Sequence, residues 1–167
     1  MRLPVGLLLP GFLVCVTGPP AYPQDPGPAL TLVGDSGQTK ALSLTDRAAL
    51  PQFEVREVTR DSATIVFRGP TLRALMTLVG APAGHALRGP NMALVVVAEA
   101  SDGYKVAYAL AELDEQFGAR TAILALSQNG AKLPATEGPL RVIISGEQHH
   151  ARWIRQVVRL QLVRAGS

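Results

Sequence analysis

Apolar residues recur at short intervals between residues 30 and 163 and alternate with polar residues over short stretches. Alternation with a period of two is typical of half-buried strands. The run Met92–Ala98 is continuously apolar, and its three consecutive valines favour a buried strand because β-branched side chains are restricted in helices. Strands are therefore predicted over residues 30–33, 53–58, 63–67, 92–98, 104–108, 122–126, 140–144 and 154–163.

Apolar residues with helical spacing occur in one segment. Four of them stand at i, i+3, i+4 and i+7 before a glycine: Leu72, Leu75, Met76 and Val79, followed by Gly80. This spacing predicts an amphipathic helix that ends at Gly80. Residues 44–50 predict a second short helix, capped by Thr45 and ended by Pro51. Residues 110–117 are expected to form a short acidic surface helix or a turn.

Three turn signals connect the predicted strands. Asp61-Ser62 and Ser101-Asp102-Gly103 each separate two neighbouring strands, which are expected to pair antiparallel. Asn129-Gly130 is the strongest hairpin signal, and it is predicted to join the strands at 122–126 and 140–144. The pattern as a whole predicts a β-rich α+β domain with one or two mostly antiparallel sheets, about eight or nine strands and two or three short helices.

Length and composition narrow the class of protein. The chain has 167 residues, enough for one domain with a hydrophobic core. Apolar residues make up 47% and charged residues 17%, which excludes a disordered tail and a coiled coil. The formal net charge of +3 is scattered rather than gathered in a basic run, and only 5% of the residues are aromatic. Nucleic-acid binding is therefore not expected.

The N-terminus differs from the rest of the chain. Arg2 precedes the uncharged apolar run Leu3–Val16, and Gly18-Pro19-Pro20-Ala21 ends that run. Residues 1–21 are therefore predicted to be a signal peptide, since the run is shorter than the roughly twenty residues of a membrane span. The alternative is a retained N-terminal anchor. A lipoprotein is less favoured because the residue before Cys15 is Val14, whereas a lipobox needs a small residue there.

Export would place the protein in the periplasm or outside the cell. Residues 22–29 contain three prolines and are expected to form an exposed lead-in to a domain over residues 30–167. Cys15 is the only cysteine, so the domain itself contains no thiol for a disulfide, a metal ligand or a nucleophile.

Common catalytic and metal-binding motifs are absent from the sequence. His85 is isolated, and His149 and His150 are adjacent, so that on a strand they would face opposite sides. No metal ligands and no catalytic residues are predicted. Asp114 and Glu115 are also adjacent, and they are expected to lie on the solvated face of a surface helix rather than to act as a general acid and base.

Two polar constellations are candidates for ligand binding. Arg152 and Arg155 flank Trp153, the only tryptophan, and this combination suits a flat or anionic ligand. The alternative is that Trp153 is a core residue with two arginines reaching solvent. Asp102 and Tyr104 lie at a turn beside a buried strand, for which the alternative is an ordinary hairpin turn.

Four segments in the same order resemble the sulfite-oxidase type of molybdopterin-binding domain. The family patterns are F-x-G-x-x-L-x-x-L, A-x-D-G-Y, N-G-x-P-L-P with G-P-L-R-L-V, and A-R-W-x-R-x-V. Phe67–Leu75 resembles the first pattern, and Ala100–Tyr104, within the strand-and-turn segment that begins at Val97, resembles the second. Asn129–Pro134 with Gly138–Val142 resembles the third, and Ala151–Val157 resembles the fourth. The resemblance extends over nearly all of residues 30–163, and it is strongest to the small members made of this one domain.

This resemblance implies a mixed, β-rich α+β fold that cradles the pterin of a molybdenum cofactor. In catalytic members a cysteine thiolate ligates molybdenum shortly before the F-x-G segment. Here the corresponding stretch, residues 57–62, contains no cysteine. Neither Ser62 nor Asp61 is an equivalent soft ligand, so the redox activity is not expected to accompany the fold.

Three functions follow from the resemblance. The first is a pterin-binding or molybdopterin-binding module that has no redox chemistry of its own and that interacts with a membrane-bound signalling or redox protein. The second is a molybdopterin-dependent oxidoreductase subunit that completes its site without a protein thiolate, and the third is an interaction module without a ligand. For the first, Asp102, Tyr104, Arg152, Trp153 and Arg155 are predicted to meet across one pocket. Asp102 would accept N–H groups of the pterin, an aromatic ring would cover its face, and arginine would bind hydroxyls or a phosphate.

Overall fold

A computed structural model describes residues 29–59, 61–118 and 120–166. The predicted signal peptide, Cys15 and all of the predicted lead-in except Ala29 lie outside the described residues. The strands are β1 (Leu30–Val33), β2 (Thr39–Leu42), β3 (Phe53–Val58), β4 (Thr64–Gly69), β5 (Leu94–Ala100), β6 (Lys105–Ala109), β7 (Ala122–Ala125), β8 (Ser127–Gln128), β9 (Ala131–Lys132), β10 (Arg141–Ile144) and β11 (Val157–Arg164). The helices are α1 (Leu44–Ala49) and α2 (Leu72–Thr77), and four 3-10 helices cover Gly84–Ala86, Gly89–Ala93, Leu110–Leu113 and His150–Arg152.

The described strands form three sheets, in the orders β2-β1-β11-β5-β6, β10-β7 and β3-β4-β8-β9. β1 pairs with β11 in parallel, and the other described strand pairs are antiparallel. The predicted β-rich α+β fold with mostly antiparallel sheets is therefore confirmed. The predicted number of strands is too low, because the short strands β2, β8 and β9 carry few apolar residues and leave no alternating pattern.

The apolar run that begins at Met92 supplies an interior strand of the five-stranded sheet. Its residues from Leu94 onward form β5, which alternates between buried and half-buried positions and pairs with both β11 and β6. Met92 itself belongs to the preceding 3-10 helix, so the predicted strand begins two residues later than expected. β5 ends at Ala100, and the turn to β6 follows directly at the edge of the candidate site described below.

The Asn129-Gly130 signal marks a hairpin, but with other strands than those predicted. Asn129 and Gly130 both have positive φ, as a tight two-residue hairpin turn requires, and they join the two-residue strands β8 and β9. The predicted strands at 122–126 and 140–144 do pair antiparallel, as β7 and β10. The error arises because a turn signal specifies only its immediate neighbours, whereas β7 and β10 meet through a longer connection.

Local capping decides where the two α-helices begin. The cap of α1 is Ser43 rather than Thr45: the Asp46 N–H donates to the Ser43 hydroxyl at 3.1 Å, and the Ser43 N–H donates to the Asp46 carboxylate at 2.8 Å. This reciprocal pair is a capping box, which satisfies two amide donors where a cap at Thr45 would leave them unpaired. Thr71 caps α2, and the helix buries the predicted apolar face before a turn that ends at Gly80.

The β7–β10 pair separates two cavities. Arg141, the first residue of β10, pairs with Ala125, while Ala122, the first residue of β7, pairs with Ile144 at the opposite end of the ladder. One cavity includes Arg141 and the other includes Ala122. Within residues 29–59, 61–118 and 120–166, no helix is both long and apolar enough to cross a membrane.

Candidate functional site

The cavity that includes Arg141 has a volume of about 610 Å³, which is within the range of small-molecule sites. It lies where the end of β5, the β5–β6 turn, the start of β10 and the segment between the last 3-10 helix and β11 converge. Its lining residues are Ala100, Asp102, Tyr104, Thr136, Arg141, His150, Ala151, Trp153, Ile154, Arg155 and Gln156. Four of the five predicted site residues are therefore brought together: Asp102, Tyr104, Trp153 and Arg155.

The β5–β6 turn presents a carboxylate at the cavity. The Tyr104 N–H donates to Asp102 Oδ1 at 2.9 Å, and Gly103 takes a positive φ that a residue with a side chain adopts only with strain. Asp102 is solvent-exposed, and its Oδ2 has no hydrogen-bond partner among the described residues. The turn thus uses one carboxylate oxygen to hold its own shape and leaves the other available to a ligand.

Trp153 is both a core residue and part of the cavity wall. Only 5% of its surface is exposed, and the edge of Phe67 contacts it at a centroid distance of 5.9 Å. The imidazole of His150 stacks on the indole, with ring centroids 3.8 Å apart and planes inclined by 12°. The two alternatives for Trp153 left by the sequence are therefore compatible, but an aromatic neighbour already covers part of its ring.

Two buried N–H donors of the cavity residues have no acceptor among the described residues. They are Nε1 of Trp153 and Nε of Arg141. A buried donor without an acceptor costs free energy, so such atoms mark places where a further group is needed. Both donors belong to residues that line the cavity, which makes them candidate contacts for ligand oxygens.

The two cavity arginines differ in how firmly they are held. The Arg141 guanidinium is largely buried, forms an ion pair with Glu137 and lies 5.5 Å from the centre of the Trp153 ring. Arg155 is exposed, and its side chain has no ion pair or hydrogen bond among the described residues. The cavity therefore offers one ion-paired cation in its wall and one exposed cation, without a side-chain partner among the described residues, at its surface.

Backbone geometry next to Arg155 shapes the same wall. Gln156 has a φ of 51°, an uncommon conformation for a residue other than glycine. Its backbone accepts from the Ser101 N–H at 3.0 Å and donates to the Glu137 carbonyl at 3.1 Å. These bonds tie the segment before β11 to the β5–β6 turn and to the loop before β10, so three walls of the cavity are fixed to one another.

The fifth predicted site residue, Arg152, does not line this cavity. Its guanidinium forms ion pairs with Glu112 at 2.6 Å and Glu147 at 3.1 Å, and it lies over the Tyr108 ring. The Tyr108 hydroxyl donates to the Arg152 carbonyl, and burial raises the pKa of that hydroxyl. The prediction that Arg152 faces the pocket is therefore wrong, because residues 150–152 form a 3-10 turn that directs Arg152 and Arg155 to different neighbours.

Asp114 also differs from the prediction of a solvated face. It is only 3% exposed, and its carboxylate accepts from Gly84 N–H at 2.9 Å, Gln116 N–H at 3.0 Å and Arg73 Nε at 3.0 Å. The backbone hydrogen bonds from Gly84 and Gln116, with the charge of Arg73, hold the pKa of Asp114 below its ordinary value despite burial. Asp114 lines the second cavity, which has a volume of about 500 Å³. The three hydrogen bonds that its carboxylate accepts all come from this chain, which is a structural role.

The sequence analysis does not assign four polar residues that line the candidate site: Thr136, Arg141, His150 and Gln156. Two of them carried a usable signal. Arg141 stands in the G-P-L-R segment of the family resemblance, and His150 lies three residues before the only tryptophan, the spacing of one helical turn. Thr136 and Gln156 carry no comparable pattern. In the described part of the chain, no group of three or more His, Cys, Asp or Glu side chains converges as a metal site.

Comparison with known proteins agrees with the resemblance seen in the sequence. The family model described as "Oxidoreductase molybdopterin binding domain" matches residues 30–167. No curated protein matches the chain.

Proposed function

The chain belongs to the family of oxidoreductase molybdopterin-binding domains, and from that premise we propose that its 610 Å³ cavity binds a pterin or molybdopterin without redox chemistry supplied by the protein. The observation that carries the proposal is the pair of buried, unpartnered donors, Trp153 Nε1 and Arg141 Nε, beside the available carboxylate oxygen of Asp102. Donors for oxygen atoms and an acceptor for N–H groups are the two complements that a pterin requires.

The residues present fit such a ligand. Asp102 would accept the adjacent N–H groups of the pyrimidine edge, as carboxylates do in bidentate pairs. Arg141 and Arg155 would bind the hydroxyl, carboxylate or phosphate oxygens of the ligand, since a guanidinium matches planar oxyanions. When bound, a molybdopterin supplies sulfur ligands to molybdenum, and through them the two-electron chemistry of the metal.

The non-catalytic part of the proposal rests on the sequence. Residues 30–167 contain no cysteine, and the thiolate position implied by the family resemblance falls within residues 57–62. A protein thiolate is the soft ligand that fixes molybdenum in the catalytic relatives. A binding or sensory role is therefore proposed in place of oxidation of sulfite or related oxo-substrates.

Titration calorimetry with pterin-6-carboxylate tests the binding. We expect one site per chain, and we expect Asp102→Asn to weaken binding roughly ten- to a hundredfold, because a hydrogen bond to a charged group contributes about 1.5–3 kcal/mol. The asparagine amide oxygen still accepts from the Tyr104 N–H, so the turn is retained. Asp61→Asn, at the exposed β3–β4 turn, is the matched control. Absence of binding, or equal binding by Asp102→Asn, would contradict the proposal.

Metal analysis and a turnover assay test the absence of redox chemistry. We expect less than stoichiometric molybdenum and no dye-coupled sulfite oxidation above a heat-inactivated control. One molybdenum per chain together with sulfite turnover would show that the protein is an oxidoreductase subunit instead.

The proposal includes export and a partner. Residues 1–21 would be removed as a signal peptide, leaving a periplasmic or secreted domain, and an intact mass that retains Met1 in cytosolic protein would contradict this.

A membrane-bound signalling or redox protein would recognise the liganded form at the cavity rim, where Tyr104 is 53% exposed. A photo-cross-linker at the adjacent Lys105, which is exposed and does not line the cavity, should capture the same membrane protein only when pterin is present. Ligand-independent capture would contradict a sensory role.

A further inference from the structure

His150 occupies a position that the proposed ligand would be expected to use. Its imidazole is nearly parallel to the Trp153 indole, with a centroid separation of 3.8 Å and an inclination of 12°. His150 is itself exposed and lines the cavity, whereas Trp153 is 5% exposed. The aromatic surface accessible from the cavity at this point is therefore imidazole rather than indole.

Trp153 is held in place from other directions. The Phe67 ring meets it edge-on at 5.9 Å, and the Arg141 guanidinium lies 5.5 Å from its centre. Its backbone N–H donates to the His150 carbonyl at 3.0 Å, which keeps the two residues on the same 3-10 turn. A ring that stacks on a fixed neighbour loses less freedom on binding a ligand than a ring on an exposed, unsupported side chain.

We propose that His150 is the ring-stacking residue of the cavity and that Trp153 supports it from behind. The inference rests on the proposed pterin-binding function and adds to it a contact residue and an order of layers: indole, imidazole, then the ring of the ligand. Offset stacking of aromatic rings contributes about 0.5–1.5 kcal/mol beyond the area buried, which is about two- to tenfold in affinity.

His149 provides a matched control. It is also exposed and carries the same side chain, but it is not among the residues that line this cavity. His150→Ala and His150→Gln both remove the ring, and glutamine keeps polar atoms and comparable length. His150→Phe keeps an aromatic ring and removes the imidazole nitrogens.

The stack can be observed without a ligand, since Trp153 is the only tryptophan in the chain. Removing the imidazole should change the tryptophan fluorescence intensity and lifetime in His150→Ala and His150→Gln, and His149→Ala should match the parent. Unchanged fluorescence in both His150 variants would show that the stack does not exist in solution, and the proposal would fail.

Calorimetry with pterin-6-carboxylate tests the role of the stack. We expect His150→Ala and His150→Gln to weaken binding about two- to tenfold, and we expect His149→Ala and His150→Phe to bind as the parent does. Unchanged binding in the ring-removing variants would overturn this inference alone, as would tighter binding, which would show that His150 blocks the indole. If the parent binds no probe, the proposed function fails and this inference fails with it.

Discussion

The guanidinium of Arg141 lies over the Trp153 ring, 5.5 Å from its centre. Arg141 begins β10, and the segment that contains Trp153 runs beside the start of that strand through an antiparallel Arg141–Arg155 bridge, so the contact joins two adjacent walls of the cavity. The pairing also holds the Arg141 side chain in one orientation, with Glu137 as its ionic partner. A cation fixed in this way is suited to discriminate between anionic and neutral ligands, because little freedom remains to be lost on binding.

The first prediction concerns this fixed cation. Arg141→Lys keeps the charge but removes the planar fork and the unpartnered Nε–H. We expect affinity for pterin-6-carboxylate to fall about tenfold and affinity for 6-methylpterin, which has no anionic group, to change by less than about twofold. Calorimetry with both ligands measures the difference. Arg56→Lys, on exposed β3, is the control, and equal loss for both pterins would contradict anion recognition by Arg141.

The second prediction separates the two arginines that flank the tryptophan. Arg152→Ala should lower the free energy of unfolding by about 1–2 kcal/mol, because it leaves the Glu147 side chain, 6% exposed, without its cation. Arg155→Ala should change that free energy by less than about 0.5 kcal/mol, since its side chain is exposed.

The two substitutions should rank in the opposite order when ligand affinity is measured instead of stability. Arg155→Ala is expected to weaken pterin-6-carboxylate binding more than Arg152→Ala does, because Arg155 lines the cavity and Arg152 does not. Urea unfolding and calorimetry on the same preparations compare the two effects. An Arg152→Ala variant of parental stability that binds much less than Arg155→Ala would restore Arg152 to the ligand site.

The third prediction concerns pH and Asp114. Its pKa is lower in the folded chain, so it stabilises the fold fully above the ordinary aspartate pKa of about 4, and this stabilisation is lost as the pH falls through the lowered value. Asp114→Asn should cost about 2–3 kcal/mol at pH 7, since a buried ionic partner of Arg73 is lost.

Measuring the free energy of unfolding between pH 7 and pH 3 checks whether the stabilisation by Asp114 falls as the pH falls. The free-energy difference between the parent and Asp114→Asn should shrink toward pH 3, where the parent also begins to lose the charge. Glu115→Gln is the control, because Glu115 is the adjacent and exposed carboxylate. A constant difference across this range would show that the charge of Asp114 does not stabilise the fold.

Many strands and turns of the fold could be predicted from the sequence, because the residue preferences that specify them act over a few neighbouring positions. The valines of β5 favour a strand wherever they lie, and Asn129-Gly130 favours a tight hairpin turn on its own. The pairing of β7 with β10 was also predicted, but the strands adjoining the turn were not. Two-residue strands such as β8 and β9 have too few positions to show an alternating pattern.

The site was less predictable because its contacts are distant in sequence. Asp114, which lines the second cavity, shows the same limit: its carboxylate accepts from Arg73 and Gly84, which are 41 and 30 residues away, and nothing next to Asp114 in the sequence indicates them. The three-residue spacing of Arg152 and Arg155 puts them on opposite faces of a strand but on one face of a helix, so the spacing alone does not fix their directions. The 3-10 turn at 150–152 does. Turn chemistry and a unique tryptophan stand out locally, which is why the sequence could group four residues that line one cavity: Asp102, Tyr104, Trp153 and Arg155.

A crystal structure of the chain with pterin-6-carboxylate would test pterin binding in the Asp102–Arg141 cavity most directly. We expect electron density for the ligand in the cavity between Asp102 and Arg141, with the pyrimidine edge at the Asp102 carboxylate and the anionic group at Arg141 or Arg155. Density in the second cavity beside Arg73, or the absence of ligand density from crystals grown at saturating pterin, would contradict it.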